Sequence, residues 1–232
     1  MEIIAEIGQN HNGDMELAKT LIQAAADNGA QVAKFQLYDA KALFPKEGNA
    51  WYEYNCKTEL SQAQVEEIMK TCEQYCIEFM ASVFDTERIQ WLEALGVKRY
   101  KIASRSIRDE ALIQRLCDTK KPLLIALGMW DKPGFPNISA TADVGFLYCI
   151  SKYPTSYENL RFENVDFTKY RGFSDHTMGI VAAQVALARG ASVIEKHLTL
   201  DKGFWGPDHA GSMTPGELNT LSKWAGECAL GL

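Results

Sequence analysis

Residues 3–28 read I-I-A-E-I-G-Q-N-H-N-G-D-M-E-L-A-K-T-L-I-Q-A-A-A-D-N, and the fold turns on this stretch. A short apolar run at 3–7 gives way to a polar turn at 8–14, then to a segment with apolar residues at helical spacing. Leu17, Leu21, Ala24 and Ala25 share one face of that segment before Gly29 stops it. Strand, loop and helix in that order are the unit of a parallel β/α fold. The loop lacks the Gly-x-Gly-x-x-Gly turn that marks the first crossover of a dinucleotide-binding open sheet.

The unit recurs along the chain. Further apolar runs at 32–36, 79–83, 100–103, 123–127, 144–149, 172–174 and 192–197 are short and mostly unbroken by polar residues. That is the pattern of strands covered by helices on both faces. Between them, Ser61 and Gln64 form a capping box before 65–75, 86–95 ends at Gly96, 109–119 precedes Pro122, and 180–189 ends at Gly190. The last helix opens Thr214-Pro215-Gly216-Glu217, a capping Thr with Pro in the first turn. A closed barrel and an open doubly wound sheet both satisfy this repeat. Eight strands without the glycine turn favour an α/β fold of the TIM-type (β/α)₈ barrel kind, one catalytic domain over residues 1–232.

Two segments break the rhythm. The connection 37–58 is long, carries Trp51, Tyr52 and Tyr54, and reads as a lid. The stretch 130–143, W-D-K-P-G-F-P-N-I-S-A-T-A-D, holds two prolines and no helical period, so the fifth helix is expected to be missing or replaced by a loop.

Composition narrows the function. The 232 residues are 47% hydrophobic and 23% charged, ordinary for a globular protein. A net charge of -6 with no basic run argues against nucleic acid or an anionic membrane as partner. No membrane-length apolar stretch and no signal-peptide layout at the start point to the cytoplasm. Cys56, Cys72, Cys76, Cys117, Cys149 and Cys228 show no paired C-x-x-C spacing and read as reduced thiols without chemistry.

Barrel chemistry sits at the C-terminal ends of the strands. Those ends and their loops hold Glu6, His11, Lys34, Gln36, Ser82, Lys101, Ser104, Arg105, Gly128, Ser151, Ser174, His176, Glu195, His197, Asp208 and His209. All four histidines of the chain fall in this set. Lysines inside apolar strands are costly without an anionic partner. Lys34 and Lys101 therefore either pair internally, with Glu6 or Glu195, or clamp a phosphate and a carboxylate together with Ser82, Ser104 and Arg105. His176 and His197 end adjacent strands, so their rings can meet over the mouth as two ligands of a divalent metal.

These strings resemble the sialic acid synthase family, whose members make neuraminic, legionaminic and pseudaminic acids. The resemblance rests on A-E-I-G-Q-N-H-N-G-D at 5–14, V-A-K-F-Q at 32–36, Y-K-I-A-S at 100–104 and G-M at 128–129. It continues through C-I-S-K-Y-P-T-S-Y-E at 149–158, G-F-S-D-H-T-M-G-I at 172–180, E-K-H-L-T-L-D-K at 195–202 and G-P-D-H at 206–209. It implies condensation of phosphoenolpyruvate with the open-chain aldehyde of an N-acylated hexosamine, with release of phosphate. By the same resemblance Lys34, Lys101, Ser104, Ser151 and Ser174, with Ser82 beside them, grip phosphoenolpyruvate. Glu6, Glu195 and Asp208 are assigned to water activation and sugar hydroxyls. His176 and His197 would hold the metal, Mn²⁺ first, with Mg²⁺, Co²⁺ or Zn²⁺ as alternatives.

Four departures qualify the match. Ala126 stands where the family has a hydroxyl before Gly128-Met129, and Arg105-Ser106 replaces a Gly and an acidic residue, so Arg105 is expected to supply the lost anion contact. Ala210 and Gly211 replace the basic residue after G-P-D-H. The family's small C-terminal antifreeze-like domain is expected to be absent, which leaves the usual dimer open and a groove at 130–143 for a homo-oligomer or another chain. Two other readings stay in view: a synthase for a different aldehyde, and a weakly catalytic barrel that binds a ligand or partner.

Overall fold

Eight parallel strands close into one barrel in chain order, the first strand pairing with the eighth. The computed structural model describes residues 1–138 and 143–231. The strands are β1 (Glu2–Gly8), β2 (Val32–Leu37), β3 (Glu78–Val83), β4 (Tyr100–Ile102), β5 (Leu123–Ala126), β6 (Val144–Cys149), β7 (Gly172–Asp175) and β8 (Val193–His197). Each lies within about a residue of its sequence-predicted limits, and the TIM-type fold is the one observed.

Six of the eight helices start where short polar side chains satisfy free backbone N–H groups. Asp14 accepts from Glu16 and Leu17 at the head of α1 (Met15–Asp27). Two short helices follow, α2 (Ala40–Leu43) and α3 (Tyr52–Lys57), then α4 (Gln62–Gln74) with the Ser61–Gln64 capping box. Next come α5 (Thr86–Leu95), α6 (Glu110–Asp118), α7 (Val181–Ala188) and α8 (Pro215–Ala229), the last with a Thr214–Glu217 box.

Two apolar clusters divide the labour. The larger, including Ile3, Leu21, Phe35, Ile68, Ile102, Phe173 and Leu221, packs the outer faces of the strands against the helices. The smaller, Ile4, Val32, Met80, Leu124, Ala126, Leu147, Cys149 and Val193, is the plug inside the barrel. Alternate residues on a strand point to opposite faces. One pleat beyond Ile4, Val32, Met80 and Val193, the inward positions are Glu6, Lys34, Ser82 and Glu195. Charged groups thus rest directly on a dry floor.

Segment 37–58 contains α2 and α3, both missed from sequence, and it is fastened rather than loose. Tyr38, Asn55 and Thr58 are buried with Gln9, whose side-chain nitrogen reaches all three. Both ends of the segment are thus tied to the top face, while residues 45–50 between them are largely exposed. Between β5 and β6 no helix occurs among the described residues, and residues 139–142 of the expected gap lie outside them. The gap leaves a groove of about 500 Å³, lined by Ile113, Cys117, Trp130 and Ile138 among others. A second gap, between β6 and β7, holds two short 3-10 turns at Tyr157–Asn159 and Phe162–Asn164. No helix is long and apolar enough to cross a membrane among the described residues, and all six cysteines are free thiols.

Candidate active site

Strand register brings the inward charges into one cluster. Glu6 lies beside Lys34 on β1 and β2, Ser82 beside Lys101 on β3 and β4, and Ser174 beside Glu195 on β7 and β8. Lys34 Nζ bonds to Glu6 Oε2, donates to Ser82 Oγ at 3.2 Å, and lies 3.5 Å from Glu195 Oε2. Lys101 Nζ is 3.3 Å from Glu195 Oε1, which also accepts from Ser174 Oγ at 2.8 Å. Gln36 Nε2 donates to Glu6 Oε1 at 2.8 Å. The internal ion pairing anticipated for the lysines is thus present, and so is the convergence needed for an anion clamp.

Burial sets the electrostatics. It pushes Glu195 upward, but Lys101 and Lys34 overcome that and, with the Ser174 bond, hold its carboxyl at about 2. Burial also opposes the charge on Lys34, yet Glu195 and Glu6 together leave it raised. Lys101 is instead lowered: burial dominates, Lys34 repels it, and Glu195 offsets only part. Glu195 has two cations while Lys101 has chiefly one carboxylate, so their contact favours the carboxylate. Two lysines face two glutamates, and an anion arriving there would favour the charged form of Lys101.

Above this quartet lies a small-atom cradle. Gly128 N–H donates to Ser104 Oγ at 3.1 Å. A Cβ on Gly128 would sit 2.4 Å from Ser151 Oγ, 2.8 Å from Cys149 Sγ and 2.9 Å from Ser104 Oγ. Among the described residues Ser151 Oγ is buried without a hydrogen-bond partner, as is Oε2 of Glu195. Ser104 and Ser151 therefore meet at residue 128, and their hydroxyls fit there because it has no side chain.

The rim holds the imidazoles. The rings of His176 and His197 are 5.9 Å apart between centres and tilted by 43°, and each Nδ1 is buried without a partner among the described residues. Burial, reinforced by His197, keeps His176 well below the usual histidine range and so neutral, the form that ligates metal. Among the described residues no group of three or more His, Cys, Asp or Glu is placed to hold a metal. Two imidazoles alone fit an ion whose other ligands are water and substrate. Both histidines line a pocket of about 60 Å³ with Tyr153, Asp175, Pro207 and Asp208.

Two candidates stand apart from the quartet. Asp208 sits on the rim with the histidines instead of beside Glu6 and Glu195. The Arg105 guanidinium lies 5.0 Å from the centre of the Phe44 ring and forms no salt bridge among the described residues. Only two of the four strand-end histidines open to the mouth. His11 is buried, its Nδ1 accepting from Gly13 N–H at 3.1 Å, and His209 is tied to Thr199 and Asn12. Sequence reasoning passed over Tyr153, whose hydroxyl is 3.2 Å from His176 Nε2, and assigned no chemistry to Cys149 under the cradle. Gln36 was visible as an inward strand-end residue two positions from Lys34, the signal that should have promoted it.

Known proteins share this arrangement of fold and sequence. The chain is 38% identical to N,N'-diacetyllegionaminic acid synthase of Legionella pneumophila, across 94% of this chain and 69% of that protein. It is 32% identical to human N-acetylneuraminate-9-phosphate synthase, across 95% of this chain and 68% of that one. The solved sialic acid synthetase of Leptospira borgpetersenii superposes with a TM-score of 0.90 at 28% identity, covering 99% of this chain and 85% of that chain. The NeuB family model matches residues 21–229, and the chain belongs to the NeuB family.

Proposed function

We propose that this barrel joins phosphoenolpyruvate to the open-chain aldehyde of an N-acylated hexosamine, giving a nonulosonic acid and phosphate. The observation that carries the reading is the buried Lys34–Glu6–Lys101–Glu195 cluster beneath the Gly128 cradle. The names of the relatives, synthases of legionaminic acid and of N-acetylneuraminate 9-phosphate, support the product class.

Lys34 and Lys101 hold the carboxylate and phosphate of phosphoenolpyruvate, with Ser82, Ser104, Ser151 and Ser174 donating to its oxygens. The unpartnered Ser151 hydroxyl is ready for that role. The enol electron pair forms the new bond from C3 to the aldehyde carbon, and the aldehyde oxygen takes up a proton. Water adds to the cation left at C2 and gives up its proton, and loss of phosphate leaves a 2-keto acid. Glu6 and Glu195, the carboxylates paired with the two lysines, accept the proton from water. Asp208 on the rim takes sugar hydroxyls. Two lysines against two glutamates give no surplus charge for a polyanion, so Arg105 swings from Phe44 to supply one cation. His176 and His197 would hold a divalent ion, Mn²⁺ first, which would supply Lewis-acid polarisation of the aldehyde oxygen.

The test is phosphate release from phosphoenolpyruvate with Mn²⁺ over a panel of N-acyl hexosamines and other aldehydes. Release that depends on an N-acyl hexosamine is expected. Release indifferent to the aldehyde, or none across the panel, overturns the assignment.

A further inference from the structure

The loop after β8 carries a side chain that this reaction leaves unused. Trp205 is 65% exposed, which is unusual for a residue that normally buries most of its ring. It is nonetheless fixed in place. Its ring centre lies 5.1 Å from that of Trp51 and 5.1 Å from that of Tyr54. Tyr54 is anchored in turn, its hydroxyl 2.9 Å from Gln9 O and 2.7 Å from Asn12 Oδ1. The next residue, Gly206, approaches so closely that a Cβ there would be 2.6 Å from the Tyr54 hydroxyl. Two residues further on, Asp208 lines the mouth pocket with His176 and His197.

A held indole with open surface, next in the chain to a rim carboxylate, is a combination suited to a carbohydrate. The ring takes C–H bonds and an acyl methyl, while the carboxylate accepts from hydroxyls. The geometry points to Trp205, backed by Trp51 and Tyr54, as a rim platform for the N-acyl group and C–H face of the acceptor. This inference rests on the synthase reading and deepens it by naming a specificity-determining residue. The platform touches only the acceptor, so its loss acts on acceptor binding and leaves the phosphoenolpyruvate clamp intact.

Steady-state kinetics on Trp205→Ala and Trp205→Phe, with mass in solution and tryptophan fluorescence titrated with the N-acyl hexosamine panel, test it. Trp205→Ala is expected to raise the acceptor KM about 3- to 10-fold, with kcat and the phosphoenolpyruvate KM near wild type. Trp205→Phe should recover most of that loss, which a merely structural role would not predict. The wild-type protein should show a saturable fluorescence change with the sugar that Trp205→Phe lacks. An unchanged acceptor KM in Trp205→Ala, in an active enzyme, overturns the platform and leaves the synthase standing. A change of oligomeric mass instead of KM also overturns it, assigning the ring to a protein contact. Saturable, Trp205-dependent sugar binding without turnover keeps the platform and removes the synthase; neither turnover nor sugar binding removes both.

Discussion

Replacing Lys34 with Met preserves the bulk of the stem and deletes the ammonium that sits between Glu6 and Glu195. The side chains of Lys34 and Glu6 are only 3% and 4% exposed, so solvent cannot compensate. Removing one partner of a buried pair typically costs about 3–5 kcal/mol. Glu195 keeps Lys101 at 3.3 Å and Ser174 at 2.8 Å, and Glu6 keeps Gln36 at 2.8 Å. These remaining partners place Lys34→Met at the lower end, about 3 kcal/mol. For a chain of this size that lowers Tm by about 6–12 °C. The loss should be largely recovered in Lys34→Met/Glu6→Gln, which removes the stranded carboxylate charge. Urea and thermal unfolding followed by circular dichroism measure both, with a falling urea midpoint at constant slope and a lower Tm. If Lys34→Met melts within about 2 °C of wild type, or if adding Glu6→Gln brings no recovery, the buried quartet is not coupled as argued.

Other outcomes follow from the same geometry. Gly128→Ala places a Cβ 2.4 Å from Ser151 Oγ and should weaken phosphoenolpyruvate binding by calorimetry roughly tenfold or more, with about 1–3 kcal/mol of stability lost to crowding; unchanged affinity would remove the cradle. Burial, partly offset by Asp14, lowers His11 from 6.5 to about 4, so the unfolded chain takes a proton that the folded chain refuses. Stability from this group is complete above pH 6.5 and falls by about 3 kcal/mol as pH drops to 4; His11→Gln should flatten that slope, and an equal slope in both proteins refutes it. Mn²⁺ at 100 times its Kd should add about 2.7 kcal/mol to wild type and little to His176→Asn or His197→Asn, read as a thermal shift; an undiminished shift in both variants places the ion elsewhere.

Much of the site was legible because strands fix direction. Glu6, Lys34, Ser82, Lys101, Ser174 and Glu195 all lie on strands, where the two-residue pleat sends alternate side chains inward. Once the apolar runs were placed, these six had to share one interior. Residues beyond the strand ends had no such rule. Arg105 lies in a 3-10 turn and rests on Phe44, and Asp208 lies in a loop that carries it to the rim. Their directions come from tertiary contacts that no local period encodes. The helices α2 and α3 were missed because four and six residues are too few to display a helical repeat. His11 and His209 show the limit of a residue-type argument, since a strand-end histidine can turn into the wall as readily as toward the opening.

The pairing of β1 with β8 has a consequence for how the protein matures. Glu6 faces His197 across that seam, and Ile4 faces Glu195. These residues are almost the full chain apart, so a growing polypeptide carries Lys34 and Glu6 long before their eighth-strand neighbours are synthesised. The charge cluster therefore assembles only when the ring shuts, and a barrel arrested before its eighth strand would lack Glu195 and His197.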